Sequence, residues 1–483
     1  MHATPGTDIT ATLERFVDSQ TPRNTLGLVY GRRRIGKSTM LSALTHARSG
    51  FYWEATRAET PLHLARLGAA LGAHLGVGPL ALASWEDALI RLLQLGAAGN
   101  VPIVLDEFGY LIAAEPGLDS TLSALLGPSR RGDDSRARLI LCGSAMAMMR
   151  KLSDGQAPLR GRAAIEAMMH AHDYRQAATW LGDDPDLMLA ARLFAVIGGV
   201  VGYATDMVDD DLPTSLADFP RWVSERVLSP AATLHHEATT LLAEDPTFAA
   251  SNQSLYHSVL SVIANGSVTA GTIASALKRN VPGIAPVLNR LVDAGFVIRH
   301  DDPIRARRPL YALGDSFLQF HYAALEPHGT ILRGRDPIVA WERRIAADFD
   351  SRVRGPVFEE QARTWVRRFA TEETLGGEAT FIGPSATTIA GIEYQIDVVA
   401  AAGHAGSEPG DRTVLAIGEA KAGETVGSAH LRTLEHKRSA LGSKAAEARL
   451  LLFATAFTPD LERLAERRND IQLIGLERLY RAG

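Results

Sequence analysis

Three short apolar runs rich in branched side chains punctuate the first third of the chain. They read TLGLVY at 25–30, VPIVLDEFGYLI at 101–112 and ARLILCGSA at 137–145. Such runs, apolar on both faces, predict buried strands, as in a parallel sheet covered on both sides. KSTMLSALTHA (37–47) follows the first run and reads as a helix. From about 170 to 250 the pattern is helical throughout (DYRQAATWLG, PDLMLAARLFAVIGG, DFPRWVSERVLS, AATLHHEATTLLAE). Residues 254–313 then divide into three helices and a hairpin. The second helix starts at a capping-type Ser267 or Thr269, the third ends at Gly295, and IRHDDPIRARRPLYAL folds as two short strands around a charged turn. Further on, a helix follows Gly355-Pro356, EYQIDVVAAAG (393–403) alternates as a strand, and RTVLAIGEAKAG (412–423) forms a second strand. A helix (AHLRTLEHKRSALG) and a strand (ARLLLFATAFT) complete the pattern. The expected fold class is α/β: a parallel-sheet domain, a helical middle region with a three-helix and hairpin module, and a C-terminal α/β domain.

The loop after the first strand runs Gly31, Arg32, Arg33, Arg34, Ile35, Gly36, Lys37, Ser38, Thr39 and fits G-x-x-x-x-G-K-[ST] without mismatch. Glycines let the backbone turn tightly, so that its N–H groups converge on phosphate oxygens. Lys37 supplies a point charge to the β- and γ-phosphates, and the Ser38 hydroxyl can ligate Mg²⁺. The helix that starts there adds partial positive charge at its N-terminus. The second strand ends in Asp106 and Glu107, the pair that in such sites holds a metal-bound water and polarises the attacking one. The same two carboxylates would also serve to cap the following helix. Ser144, at the end of the third strand, suits either a place beside the γ-phosphate or a helix cap. In APLRGRA, Arg160 and Arg162 are candidates for neutralising transition-state charge, and each is equally readable as part of a solvated basic turn.

The far end carries a second constellation. Positions i and i+2 of a strand share a face, so Glu419 and Lys421 point together, and Asp397 on a paired strand can meet them. Asp397 and Glu419 would hold Mg²⁺ as hard oxygen donors, Lys421 would orient a water or lower its pKa, and Glu359 on the preceding helix would complete the shell. A surface Glu-x-Lys pair with no chemistry gives the same triplet. In the hairpin, Arg299, Arg305, Arg307 and Arg308 suit phosphates, although such modules also serve to pack domains together.

Bulk properties narrow the picture. With 483 residues, 46% of them hydrophobic, the chain is large enough for two to four cores. A formal net charge of -5 neither demands nor excludes nucleic acid. The single cysteine, Cys142, excludes a disulfide framework within the chain and suits a reducing cytoplasm. No apolar run approaches the length of a membrane span, and the N-terminal residues lack a secretion signal, so a cytoplasmic location without membrane partners is expected.

The order of YGRRRIGKSTML, FYWEATRAE, VLDEFGYLI, CGSAMAMMRKL and GGVVGY resembles that of the archaeal-type P-loop ATPases, related to NTPases of the STAND class, which also occur in bacteria. Val201 stands where those proteins often have proline, and Arg160 where they often have an aromatic residue. The helix, Asp strand, Glu-x-Lys strand, helix, strand order resembles the PD-(D/E)xK nuclease fold, which those ATPases often carry at the C-terminus. The resemblance implies a P-loop ATPase core at 1–165, a helical lid-like region at 166–250, a winged helix-turn-helix at 251–330 and a nuclease-like domain at 331–483. It implies ATP and Mg²⁺ as cofactors and DNA as a partner, and it makes a homo-oligomer one option, with Arg160 and Arg162 as candidates for reaching a neighbour's γ-phosphate, acting in cis, in trans or not at all. The expected activity is ATP hydrolysis tied to cutting DNA, or alternatively to a nucleotide-switched regulator whose nuclease-like domain is inert. Under both, Lys37→Ala should abolish ATP binding, which titration calorimetry with ATP will show.

Overall fold

The computed structural model describes residues 9–127, 135–244, 248, 253–404 and 406–481. They form two compact units. One is built from the first 171 residues with a short return segment at 244–249, the other from 172–243 and 250 onward.

The first unit is a five-stranded parallel sheet. Its strands are β1 (Thr25–Tyr30), β2 (Phe51–Glu54), β3 (Asn100–Asp106), β4 (Arg136–Gly143) and β5 (Ala163–Met168), in the spatial order β2-β3-β4-β1-β5. All six residues of β1 are buried. The two faces separate by alternation. Leu26, Leu28, Ile103, Leu105, Leu139 and Leu141 join one core, while Val29, Val104, Ile140 and Cys142 join the other. Because β4 lies between β1 and β3, the ends of three strands bring the loop after β1, the acidic end of β3 and Ser144 to one edge of the sheet.

The second unit gathers what the sequence divides into three segments. Helices Gln253–Ala264, Ala270–Ala276 and Val281–Asp293 precede an antiparallel hairpin of β6 (Val297–His300) and β7 (Leu310–Leu313). Thr269 is the N-cap of the middle helix, its hydroxyl accepting from the Thr272 amide. The C-terminal sheet has the order β12-β11-β10-β9-β8, from β8 (Phe381–Ile389), β9 (Ile392–Ala402), β10 (Thr413–Val426), β11 (Arg449–Phe457) and β12 (Ile471–Ile474). The first three strands form an antiparallel meander, and the last two run parallel to β10. Helix Arg354–Arg368 covers one face through Phe358, Ala362, Trp365 and Val366, and helix Ser428–Ala440 covers the other through Leu431 and Leu434.

Neither core of this sheet is self-contained. Tyr174 packs in the first beside Tyr480 and donates its hydroxyl to the Leu479 carbonyl at 3.0 Å. Ile304, from the turn of the β6–β7 hairpin, is 2% exposed in the second, against Ile396, Val399 and Ile417. Asp302 accepts a hydrogen bond from Ser385 at 2.9 Å, and Arg412 donates to the Pro303 carbonyl at 2.9 Å. Arg308 and Arg305 lie 3.2 and 4.0 Å from Glu393, and Arg299 lies 3.0 Å from Asp301. Three of the four hairpin arginines read as phosphate contacts are thus paired within the unit. No helix among the described residues is long and apolar enough to cross a membrane. Ile304→Ala should lower the stability of the second unit by about 2–5 kcal/mol, read as a shifted calorimetric transition. An unshifted transition would show that the hairpin does not share the core of the sheet.

Candidate functional sites

At the first site the backbone of the loop is set by two glycines. A Cβ on Gly31 would lie 2.5 Å from both the Met169 carbonyl oxygen and Ile35 Cδ1, and Gly36 holds φ 89°, where other residues are strained. Arg34 adopts φ 65° without being glycine. Ile35 is buried beneath the loop, and Thr39 is exposed in the first turn of the helix. Lys37 is 5% exposed and donates to the carbonyls of Gly31 at 2.9 Å and Arg32 at 2.8 Å. Burial pulls the pKa of its ammonium below the usual lysine range.

Asp106 is the hub of this site. One carboxylate oxygen accepts from Ser38 Oγ and from Tyr52 Oη, each at 2.6 Å, and the other accepts the Glu107 amide at 2.7 Å. Burial works to raise its pKa, but hydrogen bonds from Cys142, Ser38, Tyr52 and the amide outweigh it and hold the carboxyl below its ordinary value. Glu107 sits at φ 49°, and Ser144 Oγ lies 2.9 Å from both of its carboxylate oxygens. The structure therefore joins Lys37, Ser38, Asp106, Glu107 and Ser144 at one edge. Arg160 is exposed and donates to the Gly155 carbonyl at 2.5 Å; Arg162 is exposed as well. Neither has a hydrogen bond or ion pair to the loop among the described residues. Tyr52 escapes the sequence reading. Its signal is an aromatic hydroxyl in FYWE, on a strand that pairs with β3 in register Tyr52 to Val104.

The second site arises where two strands part. The β9–β10 ladder ends at the Val398/Gly418 pair, one residue short of Asp397 and Glu419, while β10 continues along β11 with Glu419 opposite Leu452 and Lys421 opposite Ala454. At this fork the Asp397 carboxylate takes the place of a ladder acceptor and receives the Ala420 amide at 2.9 Å. Glu419 is gripped by two ammonium groups: Lys421 Nζ at 2.8 Å on one oxygen and Lys437 Nζ, from helix Ser428–Ala440, at 2.5 Å on the other. Glu359 lies across from them on helix Arg354–Arg368, with Arg363 Nη1 at 3.7 Å.

The charges at the fork shape one another. Burial, then the neighbouring Glu359 and Glu419 carboxylates, push Asp397 up to about 8. Burial raises Glu359 as well. Burial opposes ionisation of Glu419 too, but the Lys437 and Lys421 ammoniums outweigh it and keep that carboxyl below its usual range. The site thus brings together Asp397, Glu419, Lys421 and Glu359, and adds Lys437 and Arg363, which nothing in the strand pattern marks. Among the described residues no group of three or more His, Cys, Asp and Glu side chains is gathered as a metal cage.

No protein-family model matches the chain. It is 24% identical over 353 residues to an uncharacterized protein of Methanocaldococcus jannaschii, across 70% of this chain and 72% of that one. Among solved structures it is similar to the Walker-type ATPase of Pyrococcus abyssi, with 19% identity and a TM-score of 0.47, covering 67% of this chain and 94% of that one. It is also similar to the ORC2 protein of Aeropyrum pernix, in its ADPNP and ADP complexes, with 16% identity and a TM-score of 0.42, covering 68% and 92%.

The raised Asp397 has a consequence for stability. Its folded pKa lies above the ordinary 3.8, so the folded state holds the proton over a window in which the unfolded chain releases it. Stability should therefore fall as pH rises from about 4 to about 8 in the presence of chelator. Asp397→Asn, which keeps an acceptor for the Ala420 amide, should flatten that slope. Chemical melts across the pH range, wild type beside variant, will read it.

Proposed function

We propose that this protein binds and hydrolyses ATP in its first unit and acts on DNA through its second, as an ATP-regulated, metal-dependent nuclease. The observation that carries the nuclease reading is the fork, where a split ladder aims Asp397, Glu419 and Lys421 at one place facing Glu359. The helix, three-stranded meander, helix, parallel strand order around it supports a PD-(D/E)xK restriction-endonuclease-like fold. The three helices and hairpin before it support a winged helix.

Both sites fit Mg²⁺ by their donors. Ser38 and Asp106 are hard oxygen donors 2.6 Å apart. At the fork, Asp397 and Glu419 offer hard carboxylate oxygens as ligands, with Glu359 beside them, and a divalent cation there would offset the repulsion by which Glu359 and Glu419 raise Asp397. Bound there, the cation supplies charge neutralisation for a phosphoryl group.

The rest falls to the chain's own residues. Lys37 would exchange its two carbonyl partners for the β- and γ-phosphate oxygens, while the loop amides cradle them. Glu107 would accept a proton from the attacking water, and Ser144 fixes which way that carboxylate faces. Tyr52 holds Asp106 in place from the neighbouring strand. At the fork Lys437 holds Glu419, so that Lys421, the more exposed of the two lysines, is the one able to turn toward a phosphodiester oxygen.

A second reading is a nucleotide-switched regulator that keeps an inert nuclease-like sheet. It is favoured by one observation: both oxygens of Glu419 are already taken by lysines. Plasmid DNA incubated with the purified protein and Mg²⁺ or Mn²⁺, with and without ATP, separates the two readings. Cleavage is expected, and its loss in Asp397→Ala is expected with ATP turnover unchanged. Turnover without cleavage under every metal would leave the regulator reading standing.

A further inference from the structure

A row of polar and charged side chains runs from the β6–β7 hairpin to the carboxylate fork. His300 ends β6 with its side chain 7% exposed, and its Nε2 lies 3.2 Å from Glu360 Oε2, in polar contact but not aligned as a hydrogen bond. The same Glu360 oxygen accepts from Arg363 Nε at 2.8 Å. The other end of that guanidinium reaches the fork: Arg363 Nη1 donates to the Asp397 carbonyl at 2.9 Å and lies 3.7 Å from Glu359 Oε2. Arg363 is 5% exposed on its side chain, whereas Glu360 and Glu359 are half-buried, so the guanidinium is the enclosed centre of the row. Arg367 stands at the edge of the row, 3.9 Å from the second Glu360 oxygen.

Burying an arginine between two glutamates and a carbonyl gains little stability over an apolar packing of the same volume, because desolvation offsets most of the attraction. What such an arrangement supplies is direction. A guanidinium is a rigid planar fork, so fixing one edge on Glu360 fixes where the other edge points. The edge that is left points at the two acidic elements of the site, the backbone of Asp397 and the side chain of Glu359. Glu360 needs its own anchor to serve as that fixed edge, and the group facing it from the hairpin is His300. The hairpin, in turn, is locked to the sheet by Ile304, by Asp302 on Ser385 and by Arg412 on the Pro303 carbonyl.

We propose that His300, Glu360 and Arg363 are positioning residues through which the hairpin sets the geometry of Asp397 and Glu359. None of the three is placed to touch a phosphodiester. They act by holding the pieces that would. Their bearing on catalysis rests on the nuclease reading above, whereas their bearing on the shape of the fork does not.

The test is hydrogen exchange followed by mass spectrometry on the full chain, reading peptides that span 393–400 and 415–424. The Ala420 amide reports directly on Asp397, which accepts its hydrogen bond. His300→Leu should speed exchange in these two peptides about tenfold, as expected when an anchoring polar contact is lost and local opening becomes easier. Exchange elsewhere in the sheet, including β11, should keep its rate. His300→Gln, which restores a polar group near the position of Nε2, should return the fork to near wild-type exchange. Arg363→Lys keeps the charge and loses the planar fork, and should loosen the same two peptides.

Wild-type exchange at the fork in His300→Leu would overturn the proposal. So would a uniform loosening of the whole unit that His300→Gln does not repair, since that marks a packing role alone. A parallel Mn²⁺ titration of the wild type and Asp397→Ala keeps the two ideas apart. Absence of Asp397-dependent Mn²⁺ binding would sink the nuclease reading and leave the exchange result to decide the positioning role.

Discussion

Taking a carboxylate out of water is expensive unless donors or cations meet it inside, and both chemically interesting ends of this protein are organised around that constraint. At Asp106 it is met with hydroxyls and an amide. Ser38, Tyr52 and the Glu107 N–H close on the group, and it stays ionised although fully buried. At Asp397 it is met only in part. The Ala420 amide and the Lys421 ammonium do not offset burial and two neighbouring glutamates, and the proton is retained toward pH 8. The first centre thus keeps its carboxylate charged by the chain's own donors, whereas at the second burial and like charges keep Asp397 protonated.

The sequence discloses these centres unevenly, for physical reasons. The loop from Gly31 to Thr39 is legible because its chemistry is local: glycine φ, a lysine and a hydroxyl follow one another along the backbone. Asp106, Glu107 and Ser144 are legible because each ends an apolar run. Glu419 and Lys421 are legible as a same-face pair. Lys437, Arg363 and Tyr52 are not, since they join their sites across helix-to-sheet or strand-to-strand packing with no fixed spacing in sequence. The four strands absent from the sequence pattern, β2, β5, β8 and β12, are all sheet edges. An edge strand is half exposed, so it lacks the uniform apolar run that marks an interior one. FIGPSATTI carries a proline beside the register shift at Gly383/Ser385, where a missing N–H does least harm.

The hairpin changes what the middle module can do. A wing whose Ile304 is sunk in the sheet offers the outside Arg299, Arg307 and Arg308, of which Arg299 and Arg308 already face Asp301 and Glu393. In the third helix of the module Arg290 is the single basic residue, and it donates to the Tyr256 hydroxyl at 3.1 Å. Arg299, Arg305 and Arg308 of the wing are paired within the unit, and phosphate would have to compete with Glu393 and Asp301 for them.

The Tyr174 and Ile304 contacts also bear on how such a chain can be inherited. A sheet that completes its two cores with Tyr174 and Ile304, both far upstream of its first strand, would resist being shuffled as a cassette, for a break between hairpin and sheet removes Ile304 from one apolar face and a break after the helices of 172–243 removes Tyr174, Ala178, Leu187 and Ala190 from the other. Recombination at those junctions would yield fragments with exposed apolar surface, which cells clear. The middle and the C-terminal sheet should therefore travel through evolution as one block, and variation should collect at the exposed turns between strands instead.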